Sequence, residues 1–386
     1  MIFVNATSAL CSLGAGRKAV LESLARNAAP GLRQSDRWLL GGRSAWFGEI
    51  AGDLPELPAG FEAENTRNNR ALVGCWASEP RFGELFAAAD PSRVAVVLGT
   101  STSGSDEADR YVGSRLRCVP PAPFSGLAQE LGDPARFLSR FLGATGPAYT
   151  ISTACTSSAR AIISAARLIN AGLADCAVAG GADTLARMPI NGFDSLEALS
   201  CDLCRPFAQD RHGIMIGEGA GLLWLSRSPS DTALLGWGES SDGYHMSAPD
   251  PEGAGAVSAM RGALSMAELA ASDLSYVNLH GTGTRLNDAM ESKAVSRALG
   301  DAVLASSTKT LTGHALGAAG AIEAVIACAL SEGGRIPPQF AVGAEPDPAC
   351  AGVRFPAGFE DVAAGPVMTN NFAFGGSNTS LIFGAS

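Results

Sequence analysis

Short apolar segments that end in loops of glycine, serine and threonine alternate along this chain with alanine-rich helical segments. Residues 93–98 (RVAVVL) end in GTSTSG, residues 176–179 end in GGAD, and residues 276–279 end in HGTGT. Strands that are apolar throughout belong to sheets covered on both faces, because half-exposed strands alternate apolar and polar residues. The pattern therefore predicts an α/β fold and argues against a β-sandwich. The other predicted strands are residues 219–225, 234–239, 367–369 and 380–383, and the predicted helices are residues 157–171, 255–269, 288–299 and 317–330.

A polar, proline-containing stretch at residues 226–231 (SRSPSD) is the predicted boundary between two halves, residues 1–229 and residues 230–386. Both halves contain strands that are followed by small-residue loops. Within the first half, residues 25–145 are rich in arginine, proline, glutamate and aromatic residues. We expect this segment to form a helical and loop insertion over the core, interrupted by the strand at residues 93–98.

The charge and the apolar content of the chain limit its partners. Acidic residues number 38 and basic residues 28, so the formal net charge is −10. An acidic surface repels phosphate backbones, which excludes nucleic acid as the main partner. The most apolar helical stretch, residues 318–330, is too short to span a bilayer and contains Glu323. The start MIFVNATSAL is not typical of a signal peptide and the nine cysteines are scattered, so we expect a cytoplasmic protein with reduced thiols.

Cys155 is the best candidate nucleophile among those cysteines. It lies in TISTACTSSARA, where a β-type run meets a small-residue turn and an amphipathic helix begins. A thiol at a helix N-terminus is exposed to the positive end of the helix dipole, which favours the thiolate. Small neighbours leave room for a substrate, as a strand–turn–helix nucleophile requires. A small buried thiol with no chemical role is the alternative interpretation of this position.

Lysine and histidine are scarce, with three and four residues respectively, yet several of them occupy apolar or glycine-rich segments. His280 follows a predicted buried strand and opens the HGTGT loop. Lys309 and His314 lie five residues apart in STKTLTGHALGAAGAIE, and Glu323 follows His314 by nine residues. Close helix packing explains the glycines and alanines of that segment, but it does not explain the lysine and the histidine. These residues are therefore candidates for proton or charge chemistry near neutral pH.

Other motifs carry weaker signals. Cys201 and Cys204 form a lone CxxC without a second pair, so neither a zinc site nor a redox site is indicated. GEGAG at residues 217–221 resembles part of a dinucleotide loop but lies in a strand context. NNFAFGGSN at residues 370–378 is either a tight turn or a flexible lid before the final strand.

Six segments in a fixed order give the chain a specific resemblance. They are TACTSS, RPF followed by RHGIMIGEGAG, DGYHMSAPDPEGAG, HGTGT followed by ND, STKTLTGHALGAAGAIEA, and NNFAFGGSN. From residue 3 to residue 383 the chain resembles the β-ketoacyl-acyl carrier protein synthases of the thiolase superfamily, the elongating condensing enzymes of the Cys-His-His type. The resemblance implies a five-layer αβαβα fold with two mixed sheets. It also implies a dimer, either of identical chains or with a homologous chain-length-factor subunit.

The resemblance assigns roles to the candidate residues. Cys155 is implied to be the acyl-accepting nucleophile, with His280 and His314 as the paired catalytic histidines. Lys309 is implied to be the lysine behind the histidines and Glu323 its charged partner. The first half of the chain then carries the nucleophile, and the second half carries the histidine pair and the glycine-rich lid.

The remaining implied site residues shape the substrate cavity. The backbone amides of Cys155 and Phe374 are implied to form the oxyanion hole, with Phe374 as the gate of the acyl pocket and Phe372 beside it. The residues implied to line the substrate pocket are Thr102, Thr282 and Thr284.

The implied reaction is a decarboxylative Claisen condensation by an acyltransferase of the 3-oxoacyl-[acyl-carrier-protein] synthase type (EC 2.3.1). An acyl group moves from an acyl carrier protein to the cysteine, and malonyl-carrier protein then extends it by two carbons. Acyl and malonyl groups arrive on the 4'-phosphopantetheine of the carrier, and no metal or redox cofactor is implied. The pathway is fatty acid, polyketide or polyene chain elongation.

The chain departs from the usual family pattern at several positions. Ala208 replaces an acid after RPF, which removes any local ion pair with it, while Asn371 and Ala373 replace the commoner serine and glycine of the lid. Thr102 stands where a pocket-narrowing side chain is common, which suggests acyl chains other than plain saturated ones. GTSTSG, HMSAPDPEG, the LND after HGTGT and the short length are most similar to the synthases of aryl polyene pigment clusters.

Four alternatives remain at the level of sequence. A chain-length-factor subunit shares the fold but lacks the active cysteine, and a thiolase has a second catalytic cysteine where this chain has residues 374–377 (FGGS). A cysteine-protease-like enzyme leaves the TGH segment unexplained, and a carrier-binding module needs no catalysis.

An acidic chain that meets an acidic carrier protein needs a local basic patch. Arg67 and Arg70 in ENTRNNRALVG are the candidates, and an exposed solvated segment is the alternative interpretation of these two arginines.

Overall fold

The structure is a computed structural model that describes residues 1–386. Its helices are α1 (Arg17–Ala25), α2 (Arg67–Ala77), α3 (Pro80–Ala88), α4 (Ser105–Leu116), α5 (Asp133–Leu142), α6 (Ser157–Asn170), α7 (Arg187–Ser195), α8 (Ala254–Ala267), α9 (Arg285–Leu299), α10 (Lys309–Thr312) and α11 (Ala319–Leu330). Its strands are β1 (Ile2–Cys11), β2 (Gly14–Ala15), β3 (Leu32–Ser35), β4 (Ala45–Gly48), β5 (Val94–Gly99), β6 (Ala148–Ile151), β7 (Cys176–Asp183), β8 (Gly219–Ser226), β9 (Thr232–Ser241), β10 (Tyr276–Asn278), β11 (Ala305–Ser306), β12 (Gly334–Ile336), β13 (Glu360–Val362), β14 (Val367–Ala373) and β15 (Ser377–Ala385).

Two groups of five strands have the same order and the same pairing directions. The first group runs β6-β5-β7-β8-β1, and the second runs β11-β10-β14-β15-β9. In each group the first three strands pair in parallel and the last two add antiparallel. The predicted boundary at residues 229 and 230 falls between β8 and β9. We propose it as the division between the two halves.

The two groups were expected as separate mixed sheets, but they join at one edge into a single sheet of 11 strands, counting β2. Two residue pairs of β1 and β9 make the junction, Ile2 with Leu234 and Phe3 with Ala233. Phe3 pairs with Ser226 of β8 on one side and with Ala233 of β9 on the other, so the first residues of β1 lie between these two strands. The halves nevertheless form separate layers around the inner helices.

Helices cover both faces of each group of strands. The helices α6 and α11 contact each other and lie between the groups: α6 packs on β5 and β7, and α11 packs on β8 and β14. The outer face of the first group is covered by α2 and α5, and that of the second group by α8, with α9 packed beside it. This gives the five αβαβα layers, so the α/β prediction is confirmed.

The strand β5 shows why the sequence forms covered sheets. All six of its residues are buried. Val94, Val96 and Leu98 belong to the outer apolar cluster with α2 and α5, whereas Ala95 and Val97 belong to the inner cluster with α6. Successive side chains of a strand point to opposite faces, so a strand covered on both sides is apolar at every position.

The structure changes the boundaries of two expected segments. Residues 25–145 contain four α-helices and the small β3–β4 hairpin in addition to β5, so part of this segment belongs to the core. At the C-terminus β14 extends to Ala373, which places most of NNFAFGGSN in paired strand and leaves residues 374–376 as the turn. None of the helices combines the length and the apolar character that crossing a membrane requires.

Candidate active site

The cysteine at position 155 lies in the turn between β6 and α6, two residues before the helix begins. The turn is tight: Ala154 has a left-handed backbone with φ of 52°, a conformation that costs an L-residue roughly 1–2 kcal/mol. Ser157 stabilises it by donating its hydroxyl to the Ala154 carbonyl at 2.5 Å and accepting the Thr153 N–H at 2.9 Å. The local sequence TACTSS therefore aims the thiol away from its own strand and helix.

The thiol faces an imidazole that comes from the other half of the chain. Cys155 Sγ lies 3.1 Å from His314 Nε2, and both side chains are buried. Burial raises the pKa of the Cys155 thiol to about 11, against smaller effects of the Lys309 charge and of the Phe374 and Cys155 backbone N–H groups, which lower it. The backbone N–H groups thus act in the expected direction, but the larger effect of burial on the pKa of the thiol opposes them.

Both imidazoles of the site are neutral and carry their proton on Nε2. Burial, followed by the Lys309 charge, lowers the pKa of His280 and of His314 well below the usual range. The Leu316 N–H donates to His314 Nδ1 at 3.2 Å, and the Lys309 ammonium faces His280 Nδ1 at 3.4 Å. A nitrogen that accepts a hydrogen bond has no proton of its own, so the remaining proton is on Nε2.

The rings of the two histidines stand edge to face, with centroids 5.2 Å apart. Together with Cys155 Sγ, their nitrogens lie within 4.8 Å of one another, close enough for a metal ion. A metal ligand needs a free lone pair, and the Nε2–H tautomer does not offer one at Nε2. The arrangement therefore suits two N–H donors that converge on one anionic oxygen better than it suits a metal site.

Lys309 connects the histidines to a buried acid. Its ammonium donates to the His280 carbonyl and to Glu323, and Glu323 accepts a second bond from Asn371 at 2.6 Å. Both charged side chains are about 2% exposed or less. With His280 Nδ1 as the third neighbour, the three N–H groups of the ammonium each face an acceptor. The Lys309 ammonium therefore holds His280 in place through its carbonyl and Nδ1, and the Glu323 carboxylate balances the charge of the ammonium.

Replacing Lys309 with methionine is expected to lower the free energy of unfolding by about 3–5 kcal/mol, because Glu323 is left as a buried acid without its cation. Chemical denaturation measures this change. The matched control is Lys293→Met, which breaks the exposed pair with Glu252 and should change stability by less than about 1 kcal/mol. Equal effects of the two substitutions would contradict the assigned role of the buried pair.

Two acids of α9 shape the loop that carries His280, and sequence reasoning missed both. Glu291 accepts the backbone N–H groups of His280 and Gly281, each at 2.7 Å. Asp288 accepts those of Thr282, Gly283 and Phe207. Burial raises the pKa of Glu291 to about 8. Two acids at i and i+3 in the helix that directly follows the HGTGT loop were the available signal.

The site opens into a cavity of about 390 Å³ that contains Cys155 as its one cysteine. Phe372 lies buried on β14, with its ring 6.2 Å from that of His280. Phe374 lies in the turn after β14, is 37% exposed and contacts Phe193 of α7. The cavity is also lined by His280, His314, Thr282 and Thr284.

Thr102 does not line this cavity, although it was expected to shape the substrate pocket. Its side chain is buried, and its hydroxyl donates to Asp183 at 2.7 Å. The Thr102 hydroxyl is therefore hydrogen-bonded within the protein and does not face the cavity. The structure does not support the suggestion that Thr102 selects unusual acyl chains there. Thr282 and Thr284 do line the cavity, and their hydroxyls lie 3.0 Å apart.

Arg67 and Arg70 are not free to form a basic surface patch. Arg67 forms an ion pair with the buried Glu218, and the Arg67 side chain is itself partly buried. Arg70 pairs with Glu56 and donates to the carbonyls of Leu54 and Pro55. The expectation that they hold a carrier protein is therefore not supported, because both guanidinium groups bind their own chain.

Arg205 keeps an ion pair despite the missing acid at Ala208. Its partner is Asp210, which lies five residues after Arg205 and two after Ala208, and both side chains are about half exposed. A pair with an acid at position 208 is absent, as Ala208 carries no charge, and Arg205 pairs with Asp210 in its place.

Comparison with known proteins places the whole chain in one group. The model of the β-ketoacyl synthase N-terminal domain matches residues 83–230, and that of the β-ketoacyl synthase C-terminal domain matches residues 232–342. A 3-oxoacyl-[acyl-carrier-protein] synthase 2 of Staphylococcus aureus is 36% identical over 259 residues, which are 63% of this chain and 64% of that protein. The match thus spans somewhat less than two thirds of that relative's length.

Two further proteins are similar over more of the chain. Nodulation protein E of Rhizobium meliloti is 38% identical over 272 residues, which are 67% of each protein. A solved complex of the ketosynthase ApeO with its chain length factor ApeC, from Xenorhabdus doucetiae, contains a chain that is 46% identical. It superposes with a TM-score of 0.95 and covers 100% of this chain and 98% of that one.

Proposed function

Because this chain belongs to the β-ketoacyl synthase family, we propose that it catalyses the decarboxylative Claisen condensation of malonyl-carrier protein with an acyl group bound to Cys155. One observation carries the proposal: a buried thiol and two neutral imidazoles with Nε2–H groups converge in one cavity. These are the groups that acyl transfer and enolate stabilisation require.

The first step transfers the acyl group. Cys155 Sγ attacks the thioester carbonyl of the acyl-carrier protein as its S–H bond breaks, and the carrier sulfur leaves with that proton as a thiol. The His314 Nε2–H is 3.1 Å from Sγ and stabilises the thiolate as a hydrogen-bond donor. We propose that the N–H groups of Cys155 and Phe374 bind the tetrahedral oxyanion, and their effect of lowering the pKa of the thiol supports this role.

The second step generates the carbon nucleophile. The malonyl thioester of malonyl-carrier protein enters the cavity. Its carboxylate leaves as CO₂, and the electron pair of the broken C–C bond forms an enolate. His280 and His314 donate their Nε2–H groups to the thioester oxygen on which the charge develops. Because both rings stay neutral, they stabilise this oxyanion without giving up a proton.

The third step forms the new bond. The enolate carbon attacks the acyl carbonyl on Cys155, and the tetrahedral oxyanion collapses with expulsion of the Cys155 thiolate, which takes up one proton from solvent water. The product is a β-ketoacyl-carrier protein longer by two carbons. Acyl and malonyl groups delivered on 4'-phosphopantetheine are enough for this sequence, so we propose no metal and no redox cofactor.

We further propose that the chain works in a dimer, with a homologous chain-length-factor subunit as the favoured partner. The ketosynthase ApeO is bound to a chain length factor in its solved complex. In this chain β6 is an edge strand with exposed residues, and exposed apolar side chains lie beyond α4 at Val119, Phe124 and Leu127. An unpaired strand edge with apolar neighbours is suited to pairing with a second chain.

The similarity to ApeO also supports the aryl polyene subfamily as the pathway, and the nine free cysteines support a reducing, cytoplasmic location. A chain-length factor is the second candidate function, but the cysteine that such a subunit lacks is present here and faces His314. A thiolase needs a second cysteine in the cavity, where the lining residues include Cys155 alone.

The direct test is intact-protein mass spectrometry after incubation with acyl-carrier proteins that differ in chain length and unsaturation. We expect one acyl group per chain, mapped to Cys155, followed by its loss when malonyl-carrier protein is added. Preference for conjugated over saturated chains of equal length would support the polyene pathway. The absence of any acylated cysteine with every carrier, in the presence of the partner subunit, would contradict the proposed function.

A further inference from the structure

Asp183 is a fully buried carboxylate that the proposed mechanism does not use. It ends β7, and its side chain is not exposed to solvent at all. Its partners are hydroxyl and backbone N–H groups. The hydroxyls of Thr100 and Thr102 donate to it at 2.6 and 2.7 Å, and the N–H groups of Ser101 and Thr102 donate at 2.8 to 2.9 Å. A buried acid with this many donors stabilises a specific backbone arrangement.

One further donor comes from the other half of the chain. The Gly317 N–H donates to Asp183 Oδ2 at 2.6 Å, across 134 residues of sequence. The approach is so close that a Cβ at Gly317 would lie 2.7 Å from the same oxygen and 2.9 Å from the Ser101 nitrogen. A glycine is therefore required there by space, and the contact fixes residues 316–318 against the loop after β5.

The N–H group of the neighbouring residue, Leu316, determines the tautomer of the His314 imidazole. Leu316 donates to His314 Nδ1, and Gly317 donates to Asp183, so two consecutive amides bind the ring and the acid. Leu316 holds a left-handed backbone with φ of 47°, which a leucine adopts only when its surroundings impose it. Releasing Gly317 would let this turn relax, and the hydrogen bond that keeps the His314 proton on Nε2 would weaken.

We propose that Asp183 is a positioning residue that holds His314 in the Nε2–H tautomer and at hydrogen-bond distance from Cys155. The expected effect on the condensation rate rests on the proposed function, whereas the expected effect on the His314 tautomer does not. The link is physical: β7 and the loop after β5 belong to the half that carries the thiol, and Gly317 belongs to the half that carries the imidazole. Asp183 is thus a contact through which one half fixes the histidine of the other.

The test compares Asp183→Asn with Asp133→Asn. Asp133 is also unexposed, accepts bonds from Asn69 and Arg136, and belongs to α5 on the outer face. An asparagine at position 183 turns an NH₂ group toward N–H donors, so the Gly317 bond is lost. We expect the condensation rate to fall about 100-fold, the effect of a displacement near 1 Å at a reacting group. Asp133→Asn should change this rate less than about twofold while losing stability.

A spectroscopic measurement separates positioning from general destabilisation. The ¹⁵N shifts of His314 report its tautomer without any substrate, and we expect them to change from the Nε2–H pattern in Asp183→Asn but not in Asp133→Asn. If Asp183→Asn does not fold, Gly317→Ala pushes the amide away from the acid and should shift the same signals. An unchanged tautomer and an unchanged rate in a folded variant would overturn the proposal. Failure of wild-type condensation would instead contradict the proposed function, while the tautomer measurement would still test Asp183.

Discussion

Cys155→Ala is expected to abolish acyl transfer from acyl-carrier protein, with a loss of condensation of at least about 10⁴-fold, because a methyl group cannot form the thioester intermediate. The thiol lies in the cavity beside His314 Nε2, and no second cysteine lines that cavity. The variant should keep its fold and its binding of the carrier protein, since a small buried side chain is replaced by a slightly smaller one. Intact-protein mass spectrometry should show no acyl adduct.

Cys118→Ala is the matched control for this experiment. Cys118 is an exposed thiol, and it lies outside the residues that line the cavity. We expect Cys118→Ala to be acylated and to condense at the rate of the unmodified chain. Full elongation by Cys155→Ala in the same assay would rule out a covalent acyl-cysteine mechanism at this position.

Replacing either histidine with alanine is expected to block malonyl decarboxylation while leaving part of the Cys155 acylation intact. In the proposed mechanism each imidazole supplies one Nε2–H to the developing enolate oxygen, and the loss of one such donor reduces the rate by roughly 10²–10³-fold. The two variants should differ in the first step. His314 is the hydrogen-bond partner of the thiol, so His314→Ala should slow acylation more than His280→Ala does.

The measurement follows both steps in one sample. Release of CO₂ from malonyl-carrier protein reports decarboxylation, and the mass of the intact chain reports acylation. Retained acylation by His280→Ala shows that the variant is folded, so no separate stability control is needed. Normal condensation by either variant would contradict the role of the histidines as paired donors.

Sequence reasoning selected residues that the structure brings together in one cavity, because each occupies a conspicuous local setting. Cys155 lies in a small-residue turn before a helix, and Lys309 and His314 stand out in a glycine- and alanine-rich segment. The α/β class followed from strands such as β5 that are apolar at every position. These signals extend over about 20 residues or less, so they can be recognised in the chain itself.

Two expectations that the structure does not support, those for Arg67 and Thr102, depend on contacts between distant segments. Arg67 was expected on a surface patch, but its partner Glu218 lies 151 residues away in sequence. Thr102 was expected in the pocket, but its hydroxyl meets Asp183, 81 residues further on. Charge and polarity show that such a residue needs a partner, and they do not show where the partner lies.

The sequence by itself determined the α/β class, the family resemblance and the identity of the thiol and the two imidazoles, because these depend on residue types in local patterns. The tertiary structure decided the protonation of the site. Burial raises the pKa of the Cys155 thiol and lowers the pKa of both imidazoles, and the Leu316 N–H and the Lys309 ammonium face the Nδ1 atoms, which favours the proton on Nε2. Desolvation and hydrogen-bond partners exist only once the two halves have packed together, so the chemical state of the site is a property of the fold.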